Sequence, residues 1–287
     1  MILDGHIHIM DGPVRAEAFH RRLEEAGVEG GVVISLPPPA FPAVAKPHPF
    51  EARLDSLFAW LGGRPELYAF MWIDPLEADA FEQVAAAAAR GVHGFKVICN
   101  RFYAGDDRPM EVFRAIAATG RPILFHSGIL WDGQDSSRYN RPAEFECLMD
   151  VAGLRFALAH LSWPWCDEAI AVYGKFLNAQ TRRPELAVEM FLDTTPGTPP
   201  IYRREALTRL YTVGYDVAHN VLFGSDSRAN DYRPAWVREW IERDTALLGE
   251  LGLEPASIAA AFEANLRRFL GLTPSEGIER KLPRPGQ

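Results

Sequence analysis

The segment Ile2-Leu3-Asp4-Gly5-His6-Ile7-His8-Ile9 reads as a β-strand that ends in two histidines. Residues two apart on a strand point to the same face. Both imidazoles therefore leave one side of the chain at one strand end. Two convergent neutral imidazoles suit a borderline metal such as zinc. A pair of surface histidines would give the same tripeptide, so the reading depends on what ends the other strands.

Further apolar runs of strand length recur near residues 30–36, 67–74, 92–99, 121–127, 155–162, 186–193 and 220–225. Helical patterns separate them. Phe50, Leu54, Leu57, Phe58 and Leu61 share one helix face, as do Ala16, Phe19, Leu23 and Ala26. The Ala-rich stretch from Phe81 to Arg90 predicts a helix stopped by Gly91. Ile258, Phe262, Leu266 and Phe269 predict one last amphipathic helix. Alternation of this kind along 287 residues predicts an α/β chain folded as a single (β/α)8 TIM barrel with extra C-terminal helices. The alternative is an open doubly wound sheet, but no Gly-x-Gly-x-x-Gly follows the first strand. No composition break divides the chain, so residues 1–287 read as one domain, with about 275–287 a frayed tail. The Pro-rich excursion from Leu36 to Phe50 reads as a lid or an oligomer contact.

The reactive end of such a barrel lies at the C-terminal ends of its strands. Strand four carries Lys96, strand five ends in His126, strand six in His160 and strand eight in Asp226. Each has a plainer reading alone: a histidine satisfied in the core, a lysine paired with an acid, an aspartate capping a turn. Together they matter more. Four of the eight histidines interrupt apolar runs at one predicted barrel end, beside a carboxylate and an amine. His20, His48, His93 and His219 fall elsewhere and read as structural or solvated. Asp4 shares the inward face of strand one a layer deeper, and reads as orienting a ligand.

Composition narrows the function. A net charge of −8 argues against a nucleic acid or an anionic membrane surface as partner. No apolar run approaches the ~20 residues needed to span a bilayer. The three cysteines, Cys99, Cys147 and Cys166, are odd in number and form no CxxC pair, which suits a reducing compartment. With no signal peptide ahead of the first strand, the expectation is a soluble cytoplasmic protein with a small-molecule substrate. A homodimer is the prior for assembly.

The ordered motifs Asp4-Gly5-His6-Ile7-His8, Gly94-Phe95-Lys96-Val97, Phe125-His126-Ser127-Gly128, Leu158-Ala159-His160-Leu161, Leu192-Asp193-Thr194 and Leu222-Phe223-Gly224-Ser225-Asp226 run along the whole chain. The ending Asn265-Leu266-Arg267-Arg268-Phe269-Leu270-Gly271-Leu272 completes them. The ordered set resembles the amidohydrolase superfamily, in its amidohydrolase 2 (amidohydrolase-related) branch. The resemblance implies a divalent metal, zinc in the first instance, as one or two ions. It implies ligands His6, His8, His126 and Asp226. In two-metal relatives a carbamylated lysine bridges the ions, the position of Lys96, and His160 binds the second. In one-metal relatives His160 is catalytic instead. The usual Pro soon after the strand-eight aspartate is absent, since Ser-Arg-Ala-Asn follows Asp226.

The implied chemistry is hydrolysis of a small-molecule amide or lactone by a metal-activated water, with Asp226 moving the proton and the metal or His160 meeting the oxyanion. Arg101, Tyr103, Arg138, Tyr139 and Arg228 are candidate contacts for a carboxylated substrate, with Trp163 as a ring-binding wall. Acids on the same loops, among them Asp106, Asp107, Asp132, Asp135 and Asp231, would equally pair with these arginines. Three alternatives stand beside hydrolysis: a metal-dependent decarboxylase or hydratase, a metal-free lactonase, and a non-catalytic binding barrel.

Overall fold

The computed structural model describes residues 1–42 and 44–272. The expected tail at 275–287 lies outside the described residues. Seven βα units and one strand without a following α-helix succeed one another: β1 Leu3–His8, α1 Ala16–Ala26, β2 Gly30–Ile34, α2 Phe50–Leu61, β3 Leu67–Trp72, α3 Ala80–Arg90, β4 Gly94–Val97 and α4 Asp107–Ala118 make the first half. The second half is β5 Ile123–Phe125, β6 Arg155–Leu158, α5 Cys166–Arg182, β7 Glu189–Asp193, α6 Pro200–Thr212, β8 Val221–Leu222, β9 Ser227–Arg228 and α7 Pro234–Glu250. Two helices, α8 Pro255–Phe262 and α9 Ala264–Leu270, end the described chain. After β5 the chain runs through 3-10 turns instead of an α-helix.

All strands are parallel, in the order β8-β7-β6-β5-β4-β3-β2-β1-β9. β8 and β9 are two halves of one interrupted eighth strand. β8 pairs with β7, and β9 pairs with β1. Between them the Gly5 amide donates to the Phe223 carbonyl at 2.9 Å. The ring is thereby closed, and the fold is the α/β TIM barrel expected from the alternation.

Parallel strands covered on both faces are apolar on both faces, and β3 (LYAFMW) is buried along its whole length. Register then sorts the side chains. Trp72 pairs with Lys96, Lys96 with Leu124, Leu124 with Ala157, and Ala157 with Phe191. Trp72, Leu124, Ala157 and Phe191 belong to the inner apolar cluster, so Lys96 points into the barrel with them. Two residues further along, His126 and Asp193 point the same way at the strand ends. The intervening Phe95, Val97, Phe125, Phe156 and Leu192 face the helices. Leu266 and Phe269 of α9 join the inner cluster, and the Phe269 carbonyl accepts from Arg155 at the start of β6. The strand-start end is thus plugged, and the open end is where the polar residues gather.

Three expectations are corrected. The last helix is two, because Glu263 departs from helical geometry at φ −148° and ψ −71°. The eighth strand is broken, so Asp226 lies in the break with φ 53° and not on a regular strand end. β6 stops at Leu158, and His160 lies in a short 3-10 turn, Ala159–Ser162. The Pro-rich excursion after β2 turns inward: Phe41 is buried and packs on Trp72 with ring centres 4.8 Å apart. Among the described residues no helix is long and apolar enough to cross a membrane.

Candidate metal centre and active site

Asp226 owes its position to Asp4. Asp4 Oδ1 accepts from the Ser225 amide at 2.8 Å and the His6 amide at 3.2 Å. Its other oxygen accepts from the Ser225 hydroxyl, and from the Tyr232 hydroxyl at 2.9 Å. One buried carboxylate therefore ties β1 to the break in the eighth strand. Desolvation pushes Asp4 up to about 6, against the hydrogen bonds from Ser225. Close approach of the two segments needs Gly224, where a Cβ would stand 2.9 Å from that of His6.

His6 Nε2 lies 3.0 Å from His8 Nε2 and 3.8 Å from Asp226 Oδ1. His8 Nε2 lies 3.6 Å from the same oxygen. One ligand atom from each of the three residues falls within 4.8 Å of the others. On the other side of the ring, His6 Nδ1 meets Asp193 Oδ2 at 2.7 Å. Asp193 is held in turn by the Thr195 amide at 2.7 Å and by the Thr195 hydroxyl. A carboxylate on Nδ1 fixes the proton there and leaves the Nε2 lone pair facing the cluster.

Lys96 is fully buried, and its Nζ has no hydrogen-bond partner among the described residues. Desolvation lowers the Lys96 pKa, against the attraction of Asp193 and Asp226. Asp226, which keeps 37% of its side chain open to the cavity, is raised by desolvation against the pull of Lys96. A buried amine with nothing to bond is costly. A ligand or a covalent carboxyl group on Nζ would remove that cost.

His126 and His160 stand across the cavity, with ring centres 5.0 Å apart. His160 is also 5.4 Å from His6. His126 Nε2 faces the Ile129 carbonyl at 3.2 Å, so His126 lines the site without joining the three-residue cluster. His160 is presented by consecutive left-handed residues, φ 62° at His160, 43° at Leu161 and 57° at Ser162. Such conformations are unfavourable for residues with a Cβ, which marks the turn as one held by its surroundings. Gly197 lets the loop after β7 close on it, since a Cβ there would lie 2.6 Å from that of His160. Desolvation depresses His6, His8 and His126 well below the ordinary value, and His160 to about 4. All four are neutral at pH 7, the form that ligates metal or relays a proton.

These groups floor a cavity of about 400 Å3. Phe41, Trp72, Ile98, Leu130, Trp131 and Trp163 wall it, and Arg228 stands at its side. Of the expected substrate contacts, Trp163 and Arg228 line the cavity, and the others do not. Arg101 is spent on Asp74 at 2.5 Å. Arg138 pairs with Asp135 at 3.1 Å and lies over Tyr139. Tyr103 packs on Tyr139, ring centres 4.8 Å apart. Each has a nearer partner on its own surface. The motif Leu192-Asp193-Thr194 assigns Asp193 no role in the sequence reading, although Asp193 ends a strand as the ligands do. Trp131, 82% exposed at the rim, carries no periodic signal that would place it there.

A family model described as amidohydrolase matches residues 4–272. The chain belongs to the amidohydrolase family. That family consists of enzymes, and members of its superfamily bind divalent metals. The amidohydrolase has no match among curated protein sequences. Among solved structures it is similar to an amidohydrolase from Burkholderia multivorans with bound zinc, at a TM-score of 0.64 and 13% identity, covering 94% of this chain and 99% of that one. It is similar to 2,6-dihydroxybenzoate decarboxylase from Rhizobium, at a TM-score of 0.62 and 14% identity, covering 94% and 98%. It is similar also to a probable 2-pyrone-4,6-dicarboxylic acid hydrolase from Acinetobacter baumannii, at 0.59 and 11%, covering 94% and 99%. At such identities the likeness is one of fold.

Proposed function

We propose that this amidohydrolase is a divalent-metal-dependent hydrolase of an acyl C–N or C–O bond, amide or lactone, in a small carboxylated molecule. The observation that carries the reading is the cluster of His6, His8 and Asp226 on the cavity floor, beside the unpartnered Lys96 Nζ. Two neutral imidazoles and a carboxylate suit zinc. His6, His8 and Asp226 would hold the ion, with His126 the next imidazole on the wall. Lys96, if carbamylated, would add a carboxylate to the donor set, and with His160 would help to hold a second ion. A bound ion of this kind acidifies water and polarises an acyl oxygen.

The chain's own groups perform the proton work. Asp226, raised toward neutrality and open to the cavity, takes the proton of the attacking water and returns it to the leaving group. His160 is neutral, and its ring N–H donates to the oxygen on which charge develops. Asp193 keeps His6 in one tautomer throughout. The aromatic wall of Phe41, Trp72 and Trp163 excludes water and seats a flat substrate. Three free cysteines and an acidic surface suit a cytoplasmic setting.

A second reading, non-oxidative decarboxylation of a ring-bearing acid, uses the same centre and is favoured by that aromatic wall. The test is turnover of zinc-loaded protein on a panel of N-acyl amino acids, lactones and hydroxybenzoates, with and without chelator. Release of acid from an amide or lactone, abolished by chelation and restored by zinc, is the expected result. Release of CO2 from a hydroxybenzoate would replace hydrolysis by the second reading. Full turnover after exhaustive chelation would overturn metal dependence.

A further inference from the structure

A second cavity, of about 410 Å3, opens on the far side of Asp226 and Arg228. Pro196, Asp226 and Arg228 line both cavities, so these residues form the partition between them. The walls beyond carry Arg233, Trp236 and Asp231. The Arg233 guanidinium lies over the Trp236 indole, 5.6 Å from the ring centre. Neither the Arg228 nor the Arg233 guanidinium makes a hydrogen bond or an ion pair with any described residue. Arg101, Arg138 and Arg141 on neighbouring loops each meet a carboxylate. Two guanidinium groups without a hydrogen bond or ion pair thus share this cavity. Two carboxylates, Asp226 and Asp231, line the same cavity, but neither lies within ion-pairing distance of the Arg228 or Arg233 guanidinium.

We propose that the second cavity binds a carboxylate tail of the substrate, so that the enzyme acts on small molecules carrying an acid group beyond the reacting acyl bond. The proposal rests on the reading of His6, His8 and Asp226 as the reaction centre. An arginine stacked on an indole has one face fixed and its N–H edge free, the arrangement that grips a carboxylate with two parallel hydrogen bonds. Arg228 stands on the partition, where it meets the segment that joins the acid tail to the reacting bond. A carboxylate tail would answer the free N–H edge of Arg233, and a neutral ester would leave it unanswered.

The test uses zinc-loaded protein titrated with glutarate and with monomethyl glutarate by calorimetry. Glutarate is expected to bind at least ~10-fold more tightly than its ester. Arg233→Met is expected to abolish that preference, and Arg233→Lys to restore part of it, with zinc content unchanged in both. Equal binding of acid and ester, or a preference that survives Arg233→Met, overturns the proposal. So does inorganic phosphate binding that depends on Arg233 but does not compete with glutarate, which would make the cavity a separate anion site. Zinc content measured on the same preparations separates the two claims. Loss of zinc from the unmutated protein strikes the reaction centre, whereas loss of acid preference with zinc retained speaks only to the second cavity.

Discussion

Asp226→Asn lowers kcat by ~10²–10⁴-fold on any substrate the enzyme turns over, the range expected for loss of a positioned general base. The amide has the shape of the carboxylate and keeps one oxygen toward His6 and His8, which lie 3.8 and 3.6 Å from Asp226 Oδ1. It cannot accept a proton from water. Asp4 binds Ser225 and not Asp226, so the turn that carries residue 226 is preserved in the variant. Steady-state kinetics at saturating zinc measure the effect. Activity within tenfold of the unmutated enzyme would remove Asp226 from the proton path.

Asp193→Ala weakens zinc binding by ~10–100-fold, the usual consequence of removing the carboxylate behind a ligating histidine. Asp193 is the group that orients His6 through Nδ1, and it is itself buried and anchored by Thr195. Without it the His6 ring loses its tautomer and the Thr195 hydroxyl loses its acceptor. Unlike Asp226→Asn, this variant regains much of its turnover when zinc is supplied in excess, because the proton carrier is intact. Competition with a chromogenic zinc chelator reads the affinity directly. An unchanged affinity would mean that His6 needs no carboxylate behind it.

These two residues also show what could be read from the chain. His6, His8, Lys96 and His126 were legible because period-2 alternation and a barrel's inward face are local rules, and each interrupts an apolar run. Asp193 obeys the same rule as the last residue of β7, yet an acid ending a strand also reads as a turn former, so the motif Leu192-Asp193-Thr194 does not by itself announce its role. His160 reads as the end of a strand that in fact stops two residues earlier. Its left-handed turn is imposed by the loops around it, so nothing local announces it. The broken eighth strand was hidden for a related reason: Gly224-Ser225-Asp226-Ser227 reads as a strand end, and only the hydrogen bonds to Asp4 reveal a pivot. The loop arginines were least legible. Arg101 and Arg138 are consumed by Asp74 and Asp135, whereas Arg228 and Arg233 are not, and only the folded geometry makes that choice.

The central claim is that His6, His8 and Asp226 hold a divalent ion. Elemental analysis of protein purified without added metal, beside the His8→Ala variant, tests it most directly. The account predicts at least about one equivalent of a divalent metal, zinc first, in the unmutated protein, and its loss in the variant. Protein that contains no metal and takes up none on reconstitution, or a variant that retains its full complement, would contradict it.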